Sequence, residues 1–244
     1  MTIEVFDTAD DVARAVAARV ADALAARPSL VLGLPTGRTP IATYAELRRL
    51  HGAGRMDFSR ASTFNLDEFA GVAASHPGSF RTFMNTHLFD SVNLAPSRIH
   101  FLNGTAPDLD AECARFEAEV AGAGGLDLQI LGIGGNGHIG FNEPGDELVA
   151  ATHRVTLADS TRRDNAALFG GNPAQVPREA LSMGMGTILK AATILLIATG
   201  ERKAQCIEQT VRGPVTTRLP ASFLQLHPRA EFYLDRAAAS RLRA

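Results

Sequence analysis

Four side chains of types that move protons, His138, Glu143, Asp67 and Glu68, sit in stretches that read as turns rather than as the middle of a regular element. The stretch LGIGGNGHIGFNEPG, Leu131 to Gly145, sets His138 and Glu143 among six glycines, with Asn136 and Asn142 beside them. Histidine titrates near neutral pH and suits proton transfer, and a carboxylate five residues on can orient the ring and couple to its charge. A second stretch, FNLDEFAGV, places Asp67 and Glu68 directly after an apolar run. Acids there often cap helices. A carboxylate held between a buried sheet edge and a ligand is instead partly desolvated, which raises its pKa and makes it a competent base. Two further stretches offer anion contacts. LPTGRTP combines a bend-permitting Gly37 with Thr36, Arg38 and Thr39 ahead of a helix N-terminus, a combination suited to phosphate. It lacks the lysine and spacing of a Walker loop. GERKA brings Lys203 to a helix start, where the dipole gives a cation nothing, so an anionic ligand accounts for it better. Each stretch has a plain structural alternative: a tight turn, a helix cap, or a solvated lysine.

The hydrophobic pattern supplies the frame. Val12, Val16, Val20 and Leu24 recur at i+4 spacing and predict a helix over Ala9 to Ala26. The run from Ser29 to Leu34 reads as a buried strand, followed by a helix for which Thr39 and Pro40 form the cap and first-turn pair. Ala61 to Leu66, Leu126 to Ile133 and Thr193 to Thr199 are further strand-like runs, and residues 79–89, 108–121 and 201–211 read as helical. Strands alternating with helices imply βαβ units: a Rossmann-like three-layer α/β/α sandwich around a mainly parallel sheet. Ligands of such sheets bind outside the carboxyl ends of the strands. That rule selects the loops Leu34–Thr39, Asn65–Gly71, Gly132–Gly145 and Gly200–Lys203. With no linker, repeat or low-complexity tract, residues 1–244 read as a single domain.

Composition narrows the function classes. A net charge of -2, with 45% hydrophobic and 20% charged residues, describes an ordinary globular protein without the electrostatic field that nucleic acid binding uses. Cys113 and Cys206 are far apart, which argues against a disulfide scaffold or a thiolate metal site and for reduced thiols in the cytoplasm. No apolar run is long enough to span a bilayer, and the first residues lack a signal-peptide pattern. No second His or Cys stands at ligand spacing from His138, and His153 has no motif around it, so metal is not expected. Together the loops fit proton-transfer chemistry on a phosphorylated small molecule, without a cofactor.

The segments LGLPTG-TP, TFNLDEF, HPGSF, FLNG-APD, GIG-NGHIGFNEPG, ALSMGMGTIL, GERKA and LQLHP resemble the glucosamine-6-phosphate deaminases, in order, from about residue 28 to 230. GHIGFNEPG distinguishes them from the sister 6-phosphogluconolactonases. The resemblance implies conversion of glucosamine 6-phosphate and water into fructose 6-phosphate and ammonia, with no metal or organic cofactor. His138 would open the pyranose ring, with Glu143 and residue 136 tuning its protonation. Asp67 would carry a proton between carbon 2 and carbon 1. The phosphate would rest on Gly37, Arg38 and Thr39 and on Lys203.

Three departures from the enteric form carry expectations. Residue 136 is Asn where that form has Asp, as in shorter bacterial deaminases. Asn136 is expected to orient by hydrogen bonding and to leave His138 with a lower pKa than two flanking carboxylates would. The family's phosphate-binding arginine falls on Ala167. Arg163, four residues earlier beside Arg162, is expected to replace it in part, on the same face if the segment is helical. The basic residues that bind the activator N-acetylglucosamine 6-phosphate align with His153 and Val155, and the chain ends at Ala244 without the longer C-terminal segment. No activation and hyperbolic kinetics are expected. Other readings stay open: an enzyme on galactosamine 6-phosphate or on a sugar-phosphate lactone, kept by Ala167, and a sugar-phosphate-sensing module. The sensor would need an attached DNA-binding segment, and strand-like residues already begin at Ile3. The partner implied is a phosphorylated amino sugar, with neither nucleic acid nor membrane; monomer and homo-oligomer both stay open.

Overall fold

The computed structural model describes residues 1–242. Its frame is a seven-stranded sheet in which every neighbouring pair is parallel. In chain order the strands are β1 (Thr2–Phe6), β2 (Val31–Leu34), β3 (Ser62–Asn65), β5 (Ile99–His100), β6 (Leu128–Leu131), β9 (Thr193–Ala198) and β10 (Ala230–Asp235), arranged in space as β1-β10-β9-β6-β2-β3-β5. Strands buried on both faces read as continuous apolar runs, and β2, β6 and β9 are buried at every position.

Helices cover both faces. On one, α1 (Ala9–Ala26), α2 (Ile41–Gly52) and α3 (Phe80–His87) set Val12, Val16, Val20, Tyr44, Leu47 and Met84 against Leu32, Leu34, Ile130 and Ile197. On the other, α4 (Leu109–Gly122), α6 (Met185–Leu189) and α7 (Ala204–Arg212) set Phe116, Ile188 and Ile207 against Leu131, Ile194, Leu196 and Phe232. α1 has the expected bounds and opens on a capping box: Thr8 accepts from the Asp11 N–H and Asp11 accepts from Thr8. α2 begins at Ile41 with Pro40 in the cap position and no side-chain cap. Thr39 therefore does not cap it, as the sequence had suggested, and its hydroxyl is not spent on the helix.

A second sheet is absent from the sequence expectation. Strands β4 (Asp67–Phe69), β8 (Glu179–Ser182) and β7 (His153–Thr156) form a three-stranded antiparallel sheet, order β4-β8-β7, with Asp67 opposite Ser182. It packs on a separate apolar cluster that includes Phe69, Phe80, Phe141, Phe169 and Val176. Part of this cluster comes from the connection between β7 and β8. That connection holds the short helix α5 (Asp159–Asp164) and 3-10 turns at Ala166–Phe169 and Pro173–Gln175. Among the described residues no helix is long and apolar enough to cross a membrane.

Candidate active site

The four loops selected from the sequence leave β9, β6, β2 and β3, four strands that are consecutive in the sheet. From β2 the chain moves outward to β3 and β5, and from β6 it moves the other way to β9 and β10. The crevice at that reversal is where open α/β sheets take ligands, and the first and third loops flank it.

Asp67 and Glu68 look alike in the sequence and have different surroundings. Glu68 is 2% exposed and accepts the backbone N–H groups of Phe69 at 2.9 Å, Phe80 at 3.0 Å and Arg81 at 3.0 Å. It therefore anchors the N-terminus of α3 to β4, which is the capping role the sequence left open for either acid. Asp67 caps nothing. It is 6% exposed, and its Oδ1 is enclosed without a hydrogen-bond partner. Burial pushes its pKa up to about 8; neighbouring Glu68 adds to the rise and the Thr36 hydroxyl opposes it. A carboxyl in that state is held largely neutral near pH 7, and a cationic group beside it favours the ionised form that a base needs. It belongs to a strand rather than to a loop, so its backbone is held by pairing with β8.

The glycine-rich loop closes over that strand. Phe141 N–H donates to Ser182 Oγ at 3.1 Å, and Asn142 Nδ2 donates to the carbonyls of Ile139 at 2.9 Å and Met183 at 2.8 Å. Gly140, at φ 57°, lies against the base: a Cβ there would sit 3.6 Å from Asp67 Oδ2 and 3.1 Å from Ser182 Oγ. Gly134 has another use, because a Cβ there would fall 2.3 Å from the His138 ring. The imidazole occupies space that only glycine leaves vacant.

His138 and Glu143 do come together, with Nδ1 and Oε2 3.7 Å apart. Asn136 bridges them: its Oδ1 accepts the His138 backbone N–H at 3.2 Å and its Nδ2 donates to Glu143 Oε2 at 3.0 Å. The other Glu143 oxygen accepts from the hydroxyl of Thr161 on α5. Burial lowers the pKa of His138; Glu143 opposes the shift, Lys203 adds to it and Asp164 opposes it. The ring is accordingly neutral near pH 7, able to accept one proton and return it.

Lys203 ends the 3-10 turn Glu201–Lys203, and its ammonium donates to the Ile133 carbonyl at 2.6 Å, at the entrance of the glycine-rich loop. Burial lowers its pKa, and Arg38 across the crevice lowers it further while Cys206 and Asp164 oppose this. Neither Arg38 nor Lys203 is salt-bridged to a carboxylate among the described residues, and Arg38 is exposed. Gly37, at φ 103°, makes the turn that carries Arg38.

Arg163 stands apart. α5 ends at Asp164 and the chain continues as a 3-10 turn from Ala166, so the helical relation between Arg163 and Ala167 does not hold. Arg163 is exposed, two residues from Thr161 and so on the far side of the helix from Glu143. Arg162 is used structurally, donating to the carbonyls of Pro173 at 3.0 Å and Val176 at 3.2 Å. Sequence reasoning missed Thr161, Ser182 and Gly134. Only Gly134 left a local trace, as one glycine among six.

Comparison with known proteins identifies relatives of this chain in sequence and in fold. A family model described as glucosamine-6-phosphate isomerases/6-phosphogluconolactonase matches residues 5–232. The chain is 45% identical over 245 residues to glucosamine-6-phosphate deaminase 2 of Bacillus subtilis, covering 100% of this chain and 98% of that one. It is 48% identical over 225 residues to glucosamine-6-phosphate deaminase 1 of Giardia intestinalis, covering 92% and 85% respectively. The solved structure of a monomeric glucosamine-6-phosphate deaminase superposes with a TM-score of 0.95 at 41% identity, over 99% of this chain and 100% of that one. A 6-phosphogluconolactonase from Thermotoga maritima, 19% identical, shares the fold with a TM-score of 0.75. By its sequence and its fold, the chain belongs to the glucosamine-6-phosphate isomerase/6-phosphogluconolactonase family.

Proposed function

We infer that the protein is a glucosamine-6-phosphate deaminase, turning glucosamine 6-phosphate and water into fructose 6-phosphate and ammonia. The identities above support the reaction, and one feature of the site carries the roles: a buried carboxyl of raised pKa, with one oxygen unpartnered, lies against the loop that holds a neutral imidazole.

In the proposed sequence the phosphate rests on the Gly37–Arg38–Thr39 turn, the α2 N-terminus and Lys203. Arg38, rather than Arg163, supplies the guanidinium, because it sits in the turn at Gly37 ahead of α2 whereas Arg163 points away from Glu143 on α5. His138 accepts the anomeric hydroxyl proton and returns it to the ring oxygen, opening the ring. Its Nδ1 faces Glu143, leaving Nε2 for the sugar. Asn136 keeps Glu143 and the loop backbone in register. Asp67, ionised as the amino group approaches, takes the proton from carbon 2 to give an enolamine and delivers it to carbon 1. The resulting imine at carbon 2 adds water and expels ammonia. One carboxylate can serve adjacent carbons with a small swing, and a short side chain on a paired strand suits that.

The cytoplasm is the compartment assigned, in keeping with two buried, unpaired thiols. The test is a panel of glucosamine 6-phosphate, galactosamine 6-phosphate and 6-phosphogluconolactone. Ammonia released fastest from the first supports the reading, and preferred hydrolysis of the lactone ends it.

A further inference from the structure

Thr161 lies on α5, outside every loop that reads as catalytic, yet its side chain reaches the acid/base pair. It is 2% exposed, and its hydroxyl donates to Oε1 of Glu143. Asn136 donates to the other oxygen at 3.0 Å, and that oxygen lies 3.7 Å from His138 Nδ1, beyond hydrogen-bonding distance. The imidazole Nδ1 is enclosed and has no partner. A carboxylate divides its charge among its donors, and an O–H donor to a charged oxygen is a strong one. The Thr161 hydroxyl therefore competes with His138 for Glu143.

The segment that carries Thr161 is docked on several sides. The Arg162 guanidinium ties α5 to Pro173 and Val176, and Asn165 Nδ2 donates to the Thr161 carbonyl at 2.9 Å. Phe169 packs edge-on to Phe69 with ring centroids 5.2 Å apart, two residues from Asp67 in β4. Gly78 lies so close that a Cβ there would stand 2.7 Å from the Leu168 carbonyl oxygen. Among the described residues the one hydrogen bond from residues 157–176 to the glycine-rich loop is that of Thr161.

We propose that Thr161 is a positioning residue for the ring-opening step: by holding Glu143 Oε1 it sets how strongly the carboxylate engages His138, and it ties that pair to the docking of residues 157–176. The proposal rests on the His138–Glu143 assignment made above. The charged groups facing His138 are Glu143 from its own loop, Lys203 from the turn before α7 and Asp164 from α5. Thr161→Val removes the hydroxyl, keeps the branched shape and leaves Lys203 and Asp164 in place. Glu143, with one oxygen released, turns to Nδ1 and favours the imidazolium.

The experiment is an NMR titration of His138 in histidine-labelled protein, its signal identified by its loss in His138→Gln, run beside ammonia release from glucosamine 6-phosphate as a function of pH. In Thr161→Val the midpoint is expected to rise by about half a unit to one unit, kcat to fall about tenfold and KM to stay within about threefold, with Thr161→Ser restoring all three. Gly78→Ala, which displaces the segment without touching Glu143, moves the midpoint the same way. Coincident titrations of wild type and Thr161→Val overturn the proposal, as does a serine variant that behaves like the valine one. The titration needs no substrate, so a raised midpoint in a protein that releases no ammonia upholds the Thr161 contact and removes the deaminase reading.

Discussion

Replacing Asp67 by Asn should abolish activity and stabilise the protein, and the stabilisation should depend on pH in a defined direction. The carboxyl titrates at about 8 in the fold against an ordinary value of 3.8. Below about pH 4 it is neutral in both folded and unfolded chains and costs nothing. Between about 4 and 8 the unfolded chain releases a proton that the folded one keeps, so stability falls as pH rises, by about 1.4 kcal/mol per unit. Near pH 7 the accumulated cost is at most about 4 kcal/mol, and part of it remains with a buried amide, so a gain of about 2–4 kcal/mol is expected for Asp67→Asn. For a domain of this size that is a rise in Tm of roughly 4–16 °C. The assay is thermal unfolding of wild type and variant at several pH values from about 5 to 8. The gap should widen steadily with pH. A gap that is constant across the range, or a variant less stable than wild type near pH 7, would refute a desolvated carboxyl at this position.

Other outcomes follow from the same geometry. Lys203→Ala should raise KM for the phosphorylated sugar about 10- to 100-fold with a smaller change in kcat, Arg38→Ala about tenfold, and Arg163→Ala less than about twofold; steady-state kinetics on the three variants would expose an Arg163 contact if its KM rose most. Gly134→Ala places a methyl 2.3 Å from the His138 ring. It should cost about 100-fold or more in kcat with a melting temperature within a few degrees of wild type, and an active variant would mean the ring position is immaterial. β7 carries His153 and Val155, the positions that the resemblance to the enteric form aligns with its activator-binding basic residues. Initial rates should therefore be hyperbolic in substrate and unchanged by N-acetylglucosamine 6-phosphate; a sigmoidal curve relieved by that ligand would contradict this.

The parts legible in the sequence were those governed by local pattern. The i+4 valines gave α1 to the residue, and the apolar runs located β2, β6 and β9, which are buried at every position, while β3 was found within the run Ala61 to Leu66 although it is STFN. Their consecutive order in the sheet then placed the four selected loops at the carboxyl ends of neighbouring strands. The small sheet was hidden because its strands are short and pair over long separations. Asp67 meets Ser182, and nothing local in DEF or in EALS signals a partner that far along the chain. The same pairing turned Asp67 from a loop acid into a strand residue and sent Glu68 to α3, a distinction two adjacent acids cannot announce. Thr161 was equally silent, since a threonine in a short polar helix reads as surface until the fold lays that helix on Glu143. The expectation for Arg163 depended on a helix running through Ala167, and the chain leaves the helix at Asp164.

The account stands most directly on ammonia release from glucosamine 6-phosphate by wild type and by Asp67→Asn. It predicts steady release of ammonia with fructose 6-phosphate by the first, and a loss of about 10²–10⁴-fold in kcat by the second in a protein that remains folded. Release by both at similar rates would contradict Asp67 as the base, and release by neither would contradict the reaction.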